Sequence, residues 1–126
     1  MFLGLRSDIR PAHDLDEARE WYTAALGVEP YFVNEAYVGF DLGGFELGLF
    51  KFGDPAAGPL PYWGVGDLDA ALASLLESGA TQVEEIHDVG GGIRMAAVTD
   101  PAGQHLGLIE NPVFELKPVA SDGPGR

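Results

Sequence analysis

Apolar and polar residues follow two periods along this chain, and the two periods occur in the same order twice. In "DLDEAREWYTAALG" (14–27), Ala18, Trp21, Tyr22 and Ala25 recur at i, i+3, i+4 and i+7, one apolar face of a helix. Asp14 suits the N-cap, with Glu17 three residues on as in a capping box. Asp16 and Glu17 favour the positive end of the helix dipole, and Gly27 suits a left-handed C-terminal stop. The echo "DLDAALASLLESG" (67–79) repeats the plan, with Asp67 as cap, Leu68, Ala71, Leu72, Leu75 and Leu76 as the face, and Gly79 as the stop.

After each helix the period changes to two. Val38, Phe40 and Leu42 alternate with Tyr37, Gly39 and Asp41, as in a half-buried strand. Gly43–Gly44 is a two-residue hairpin signal leading into "FELGLF" (45–50). After the second helix come "TQVEEI", "IRMAAVT", the turn "DPAG" and "QHLGLIE", and "QHLGLI" (104–109) superposes on "FELGLF" without a gap. "EPYFV" adds a strand to the first copy, and "LGLRSDI" and "PYWGV" open the two halves. The chain therefore reads as βαβββ written twice, module one about 1–52 and module two about 59–115, joined at "GDPAAGPLP" (53–61). Together they make one α+β domain over 1–115, and 116–126, ending "SDGPGR", reads as a flexible tail.

Composition narrows the function classes. Twenty acidic residues against seven basic ones give a net charge of −13, which repels a phosphate backbone; it reads first as a charge that keeps the protein soluble and second as one that attracts cationic small molecules. No apolar run is long enough to span a bilayer, and "MFLGL" is too short for a signal peptide core, so a cytoplasmic protein is expected. Cysteine is absent, which removes disulfides and thiolate metal sites. "VGGGIR" (89–94) lacks the Gly-Lys-Ser/Thr ending of a phosphate cradle and leads into a strand, so it reads as a turn. His13 and His87 fall in expected loops, and Trp21 and Tyr22 in the core.

Two βαβββ units carrying "DLDEAREWYTAALG" and "VTDPAGQHLGLIENP" resemble the vicinal oxygen chelate superfamily, which includes glyoxalase I, bleomycin-resistance proteins and extradiol dioxygenases. The resemblance covers roughly residues 3 to 113. It implies a cup-shaped mixed sheet with the helices on its outer face. In enzymatic members it also implies a divalent metal held by four His, Glu or Gln side chains, one on the first and one on the last strand of each module. The matching positions here are Ser7, Gly48, Leu60 and Gly107, none of them a good ligand. No metal and no other cofactor is therefore expected.

Alternation then assigns the cup lining. If Gly48 and Gly107 face inward, so do Tyr37, Asp41, Glu46, Phe50, Tyr62 and His105; Arg94, aligned with Tyr37 in the repeat, and Ala96 are expected there too. Tyr37, Phe50 and Tyr62 offer stacking faces, Asp41, Glu46, Arg94 and His105 supply polarity, and glycine leaves room for a bulky ligand. Glu46 and His105 are pseudo-symmetric mates that read either as solvated rim groups, as an acid–base pair or as a non-standard metal site. The register that the resemblance implies sends Arg6, Asp8 and Arg10 of "RSDIR" toward the helix side; either they pair with one another at an edge, or the strand is shifted and they enter the cup.

Three functions stay open. The first is a metal-free protein that sequesters a small aromatic molecule, as in drug or antibiotic resistance. The second is a metal-dependent lyase, isomerase or dioxygenase with Glu46 and His105 as ligands, and the third is a metal-free accessory enzyme of a biosynthetic pathway. The first fits the missing ligands and the acidic charge, with catalytic residues unassigned. A homodimer is expected as the commonest closed assembly, without nucleic-acid or membrane partners.

Overall fold

The computed structural model describes residues 1–116. Eight strands and two helices form a mixed α+β fold: β1 (Phe2–Pro11), α1 (Leu15–Leu26), β2 (Phe32–Val33), β3 (Tyr37–Leu42), β4 (Phe45–Phe50), β5 (Leu60–Val65), α2 (Leu68–Glu77), β6 (Thr81–Gly90), β7 (Ile93–Thr99) and β8 (His105–Glu110). The chain divides into two compact units. The first comprises Ser7–Pro59 with Glu115 and Leu116, and the second Met1–Arg6 with Leu60–Phe114. Apart from Leu116, the stretch read as a tail lies outside the described residues.

In the first unit the strands run β2-β3-β4-β1. β1 is parallel to β4, with Ser7 opposite Glu46 and Ile9 opposite Gly48. β3 and β4 form the expected hairpin, Leu42 opposite Phe45. Gly43 and Gly44 take φ of 69° and 99°, the left-handed pair that a two-residue turn matching strand twist demands. Residues 115–116 cross this turn so closely that a Cβ on Gly44 would collide with the Glu115 carbonyl. β2 keeps only Phe32 and Val33 of "EPYFV", because Pro30 has no N–H to give to a ladder.

Helix α1 is bounded as its sequence prescribes. The Asp14 carboxylate accepts the Glu17 N–H at 3.0 Å, and left-handed Gly27 donates to the Thr23 carbonyl. Its inner face is Leu15, Ala18, Tyr22 and Leu26, packed on Val28, Val38, Phe40 and Leu49. Burying Phe40 completely contributes about 1.5–3 kcal/mol. Trp21 is not in this core: it is 63% exposed and meets Tyr22 edge-on. The inner stripe runs through Tyr22, and one residue back along the helix is about 100° around it. The "RSDIR" ambiguity resolves in part toward the helix side. Arg10 donates to Asp8 at 3.0 and 3.1 Å and to the Tyr22 hydroxyl at 3.2 Å.

In the second unit the order is β5-β8-β7-β6, with β5 parallel to β8. Val65, Ala96, Val98 and Leu108 pack against Leu68, Ala71 and Leu72 of α2. Leu76, expected on that face, is 39% exposed, while its neighbour Leu75 packs against the core. Asp67 caps α2 through the Ala70 N–H, and Glu110 accepts the Leu68 N–H at 2.9 Å. Glu110 is in turn held by Arg94, which also bonds Asp69 at 2.9 Å.

Arg94 therefore faces α2, contrary to the lining derived from the repeat, and Ala96 turns the same way. The cause is a one-residue slip. Asp100 accepts the N–H groups of Ala102 and Gln104, which makes the turn before β8 longer than the Gly43–Gly44 turn. Pairing resumes at His105 opposite Thr99, so Met95 opposes Ile109 as Tyr37 opposes Phe50. Met95, not Arg94, is the counterpart of Tyr37. His87, expected in a loop, lies within β6, which continues past "TQVEEI" to Gly90. "VGGGIR" is the turn it was read to be, with Gly90 opposite Ile93.

Candidate functional site

The faces turned away from the helices carry the candidate chemistry, and in both units they are organised around glycine. In the first unit Tyr37, Gly39, Asp41, Glu46, Gly48 and Phe50 share this face, as alternation required. Gly39 and Gly48 lie opposite one another, both buried. Neither leaves empty space. The Tyr37 phenol lies where a side chain on Gly48 would begin, and the Tyr31 ring comes within 2.9 Å of where a Cβ on Gly39 would stand. Both hydroxyls donate to Glu46, Tyr31 to Oε1 and Tyr37 to Oε2. Phe32 is tilted on Tyr37 with ring centroids 6.2 Å apart, and Phe50 opposes Tyr37 in the ladder. Asp41 opposes Glu46 and accepts the Gly44 N–H.

In the second unit the same device recurs. The Tyr62 ring covers Gly107, where a Cβ would stand 2.6 Å from Cδ2 and 2.7 Å from the Pro61 carbonyl. Tyr62 is only 5% exposed, and its hydroxyl donates to Glu84 Oε1 at 2.8 Å. Glu84 Oε2 is buried with no hydrogen bond, and the His87 Nδ1 stands 3.6 Å away. Gly64, next on the Tyr62 side of β5, admits the Arg6 side chain, whose guanidinium lies 3.8 Å above the Phe114 ring. Arg6 thus parts company with Asp8 and Arg10. His105 is exposed at the start of β8.

Glycine was expected to open room for a ligand; instead it admits the chain's own tyrosines. This bears directly on the metal that the resemblance implies. The four matching positions offer the buried, unbonded Ser7 hydroxyl, the half-buried Leu60, and two glycines already overlain by Tyr37 and Tyr62. Glu46 has both oxygens engaged by phenols. Among the described residues no three His, Cys, Asp or Glu side chains gather as a metal site requires. The donor set does not fit a divalent ion.

On the helix side of the first unit a cleft of about 370 Å³ is lined by Arg10, His13, Asp14, Glu17 and Tyr22 among others. Its cation is already engaged by Asp8 and Tyr22, so it offers little to a ligand. Tyr31 and Glu84 were not singled out from the sequence. Tyr31 precedes the short β2 strand and bends back over Gly39, and Glu84 sits beside a register shift in β6, so neither obeys simple alternation.

These contacts have two measurable outcomes. Gly48→Ala should cost about 1–3 kcal/mol by overpacking against Tyr37, yet be nearly neutral in a Tyr37→Ala background. Equal urea-midpoint losses in both backgrounds would refute the contact. Burial, then the charge and hydrogen bond of Glu84, hold the Tyr62 phenol far above its ordinary value of 10.0. Burial of its hydroxyl and then Glu46 do the same for Tyr31, although that residue is largely exposed overall. A pKa raised by folding gives stability that is whole below the unfolded value and is lost as pH rises beyond it. Alkaline titration should therefore show part of the phenolate absorbance delayed until the helices melt, with a smaller delayed step in Tyr62→Phe. Free titration of all four tyrosines in the folded protein would contradict this.

No curated protein matches the chain. Solved structures do match in fold. A variant of Streptomyces coelicolor methylmalonyl-CoA epimerase in complex with 2-nitronate-propionyl-CoA is 22% identical, with a TM-score of 0.69 over 91% of this chain and 99% of its own. A Vibrio splendidus 12B01 member of the glyoxalase/bleomycin resistance protein/dioxygenase superfamily is 19% identical, with a TM-score of 0.65 over 85% and 99%. The Mn(II)-bound glyoxalase from Novosphingobium aromaticivorans is 16% identical, with a TM-score of 0.71 over 92% of this chain and 41% of its own. Residues 9–108 match the model of one family, and the chain belongs to it: the Glyoxalase/Bleomycin resistance protein/Dioxygenase superfamily.

Proposed function

We propose that this member binds a small molecule without the divalent metal used by enzymatic relatives, and that it acts by sequestering that molecule. The observation that carries the reading is the filling of both last-strand ligand positions: Tyr37 stands over Gly48 and Tyr62 over Gly107. A metal would have to displace a phenol from Glu46 and a buried ring from Gly107. The ligand is planar and neutral to cationic. Tyr31, Phe32 and Phe50 offer exposed aromatic surface on the first unit, each stacking contact adding about 0.5–1.5 kcal/mol beyond its area. Arg94, committed to Asp69 and Glu110, no longer offsets the carboxylates of that face. Tyr62, interior and tied to Glu84, is not among these stacking faces.

The protein acts as a homodimer in this proposal. A side chain as large as Trp21, 63% exposed on α1, is the kind of surface that a second copy covers.

Elemental analysis should find far less than one Mn, Fe, Ni or Zn per chain, and EDTA should leave the melting temperature unchanged. Near-stoichiometric metal whose removal lowers the melting temperature would overturn the reading. Light scattering at micromolar concentration should give twice the chain mass of 13.4 kDa; a monomer mass would refute the dimer.

A further inference from the structure

Glu46 stands in an unusual setting. No Lys or Arg pairs with it among the described residues, in contrast to Asp8, Asp69 and Glu110, each of which holds an arginine. Its two oxygens are instead engaged by two neutral phenols, Tyr31 and Tyr37. These bonds take one of the two acceptor sites on each carboxylate oxygen without cancelling its charge. Around it, on the same face, stand the rings of Tyr31, Phe32, Tyr37 and Phe50, with Tyr31 laid over Gly39 and Tyr37 over Gly48. Three of the four rings, those of Tyr31, Phe32 and Phe50, belong to exposed residues.

The combination selects among cations. A primary ammonium is strongly hydrated and needs acceptors for its three N–H groups, but with a phenol already on each oxygen Glu46 has only about two acceptor sites left. An alkylated ammonium donates few hydrogen bonds or none. It needs charge of opposite sign and aromatic faces, which the ring quadrupoles provide within about 6 Å. We propose that Glu46 with Tyr31, Phe32, Tyr37 and Phe50 forms an aromatic cage for an alkylated ammonium group, the cationic end of the molecule that this face receives. The inference rests on the reading of a metal-free binding face and adds to it the chemical class of the ligand.

Choline, ethanolamine and dimethylbutanol, the uncharged carbon isostere of choline, are the probes. Calorimetry in the presence of EDTA should show saturable choline binding, tighter than either of the others by roughly 10-fold, between the scales of an exposed and a desolvated cation–π contact. Glu46→Gln should abolish the preference for choline over the isostere, since the amide still pairs with both phenols but carries no charge. Phe50→Ala should weaken choline while leaving Glu46 in place. Glu20→Gln, an exposed site on α1, removes the same charge and should leave binding unchanged, which separates the cage from the −13 net charge. Equal affinity for choline and its isostere, a preference for ethanolamine, or an equal loss in Glu20→Gln would each overturn the cage. A metal-containing protein that still prefers choline would sink the metal-free reading and leave the cage standing. A metal-free protein without that preference sinks the cage alone.

Discussion

An aromatic ring can lie against a β-sheet at backbone distance only where the residue beneath it has no Cβ. Tyr37 over Gly48 and Tyr62 over Gly107 are two cases of this constraint, one in each unit, and much of the chemistry on the helix-free faces depends on them. With the ring laid down, its hydroxyl reaches a carboxylate, Glu46 in one unit and Glu84 in the other. Restoring a side chain at either glycine would lift the ring and release the carboxylate. A residue able to ligate a metal at these positions and a tyrosine lying over them are thus mutually exclusive. The family framework is kept in this chain, with a phenol laid over a last-strand glycine in each unit.

Much of the fold was legible because local and long-range signals agree. Asp14, Asp67 and Gly27 behave as caps, Gly43–Gly44 as a hairpin, and the alternation of Val38 and Phe40 against Tyr37 and Gly39 sets the two faces of β3. The site was legible where strict alternation held, which placed Tyr37, Asp41, Glu46 and Phe50 on one face. It failed where the ladder loses or gains a residue. The longer Asp100–Gln104 turn moves Arg94 to the helix side, and register shifts in β6 carry Glu84 and His87 to places no period of two foretells. Trp21 shows a different limit: an apolar residue can satisfy helical spacing and still fall outside the stripe that the sheet covers. What a glycine is for was the least legible of all. A missing side chain reads alike whether the space is kept for a ligand or taken by a neighbour.

The distribution of arginine is as informative as the excess of acid. Arg94 ties the first turn of α2 to the end of β8 through Asp69 and Glu110, and it raises no conflict with the acidic surface because it is consumed there. The Asp69 carboxyl is held below its ordinary value by that hydrogen bond and charge. Arg10 is consumed likewise between Asp8 and Tyr22. Arg6 alone of these three meets an aromatic ring instead of a carboxylate, and so pins Phe114 against β5. Structural use of the basic side chains leaves the acidic field outside the framework largely uncompensated.

β6 is the outermost strand of the second unit, ten residues long and with Val83 and Val89 exposed. An edge of that length and character would ordinarily template the addition of a strand from another molecule. Three breaks in its pairing, between Gln82 and Glu84, Glu84 and His87, and Asp88 and Gly90, bend its free N–H and C=O groups out of line. The first unit reaches the same end by brevity, since β2 offers only two residues. The outer margin of each unit is thereby a poor template for an added strand, whether by irregular pairing or by lack of length.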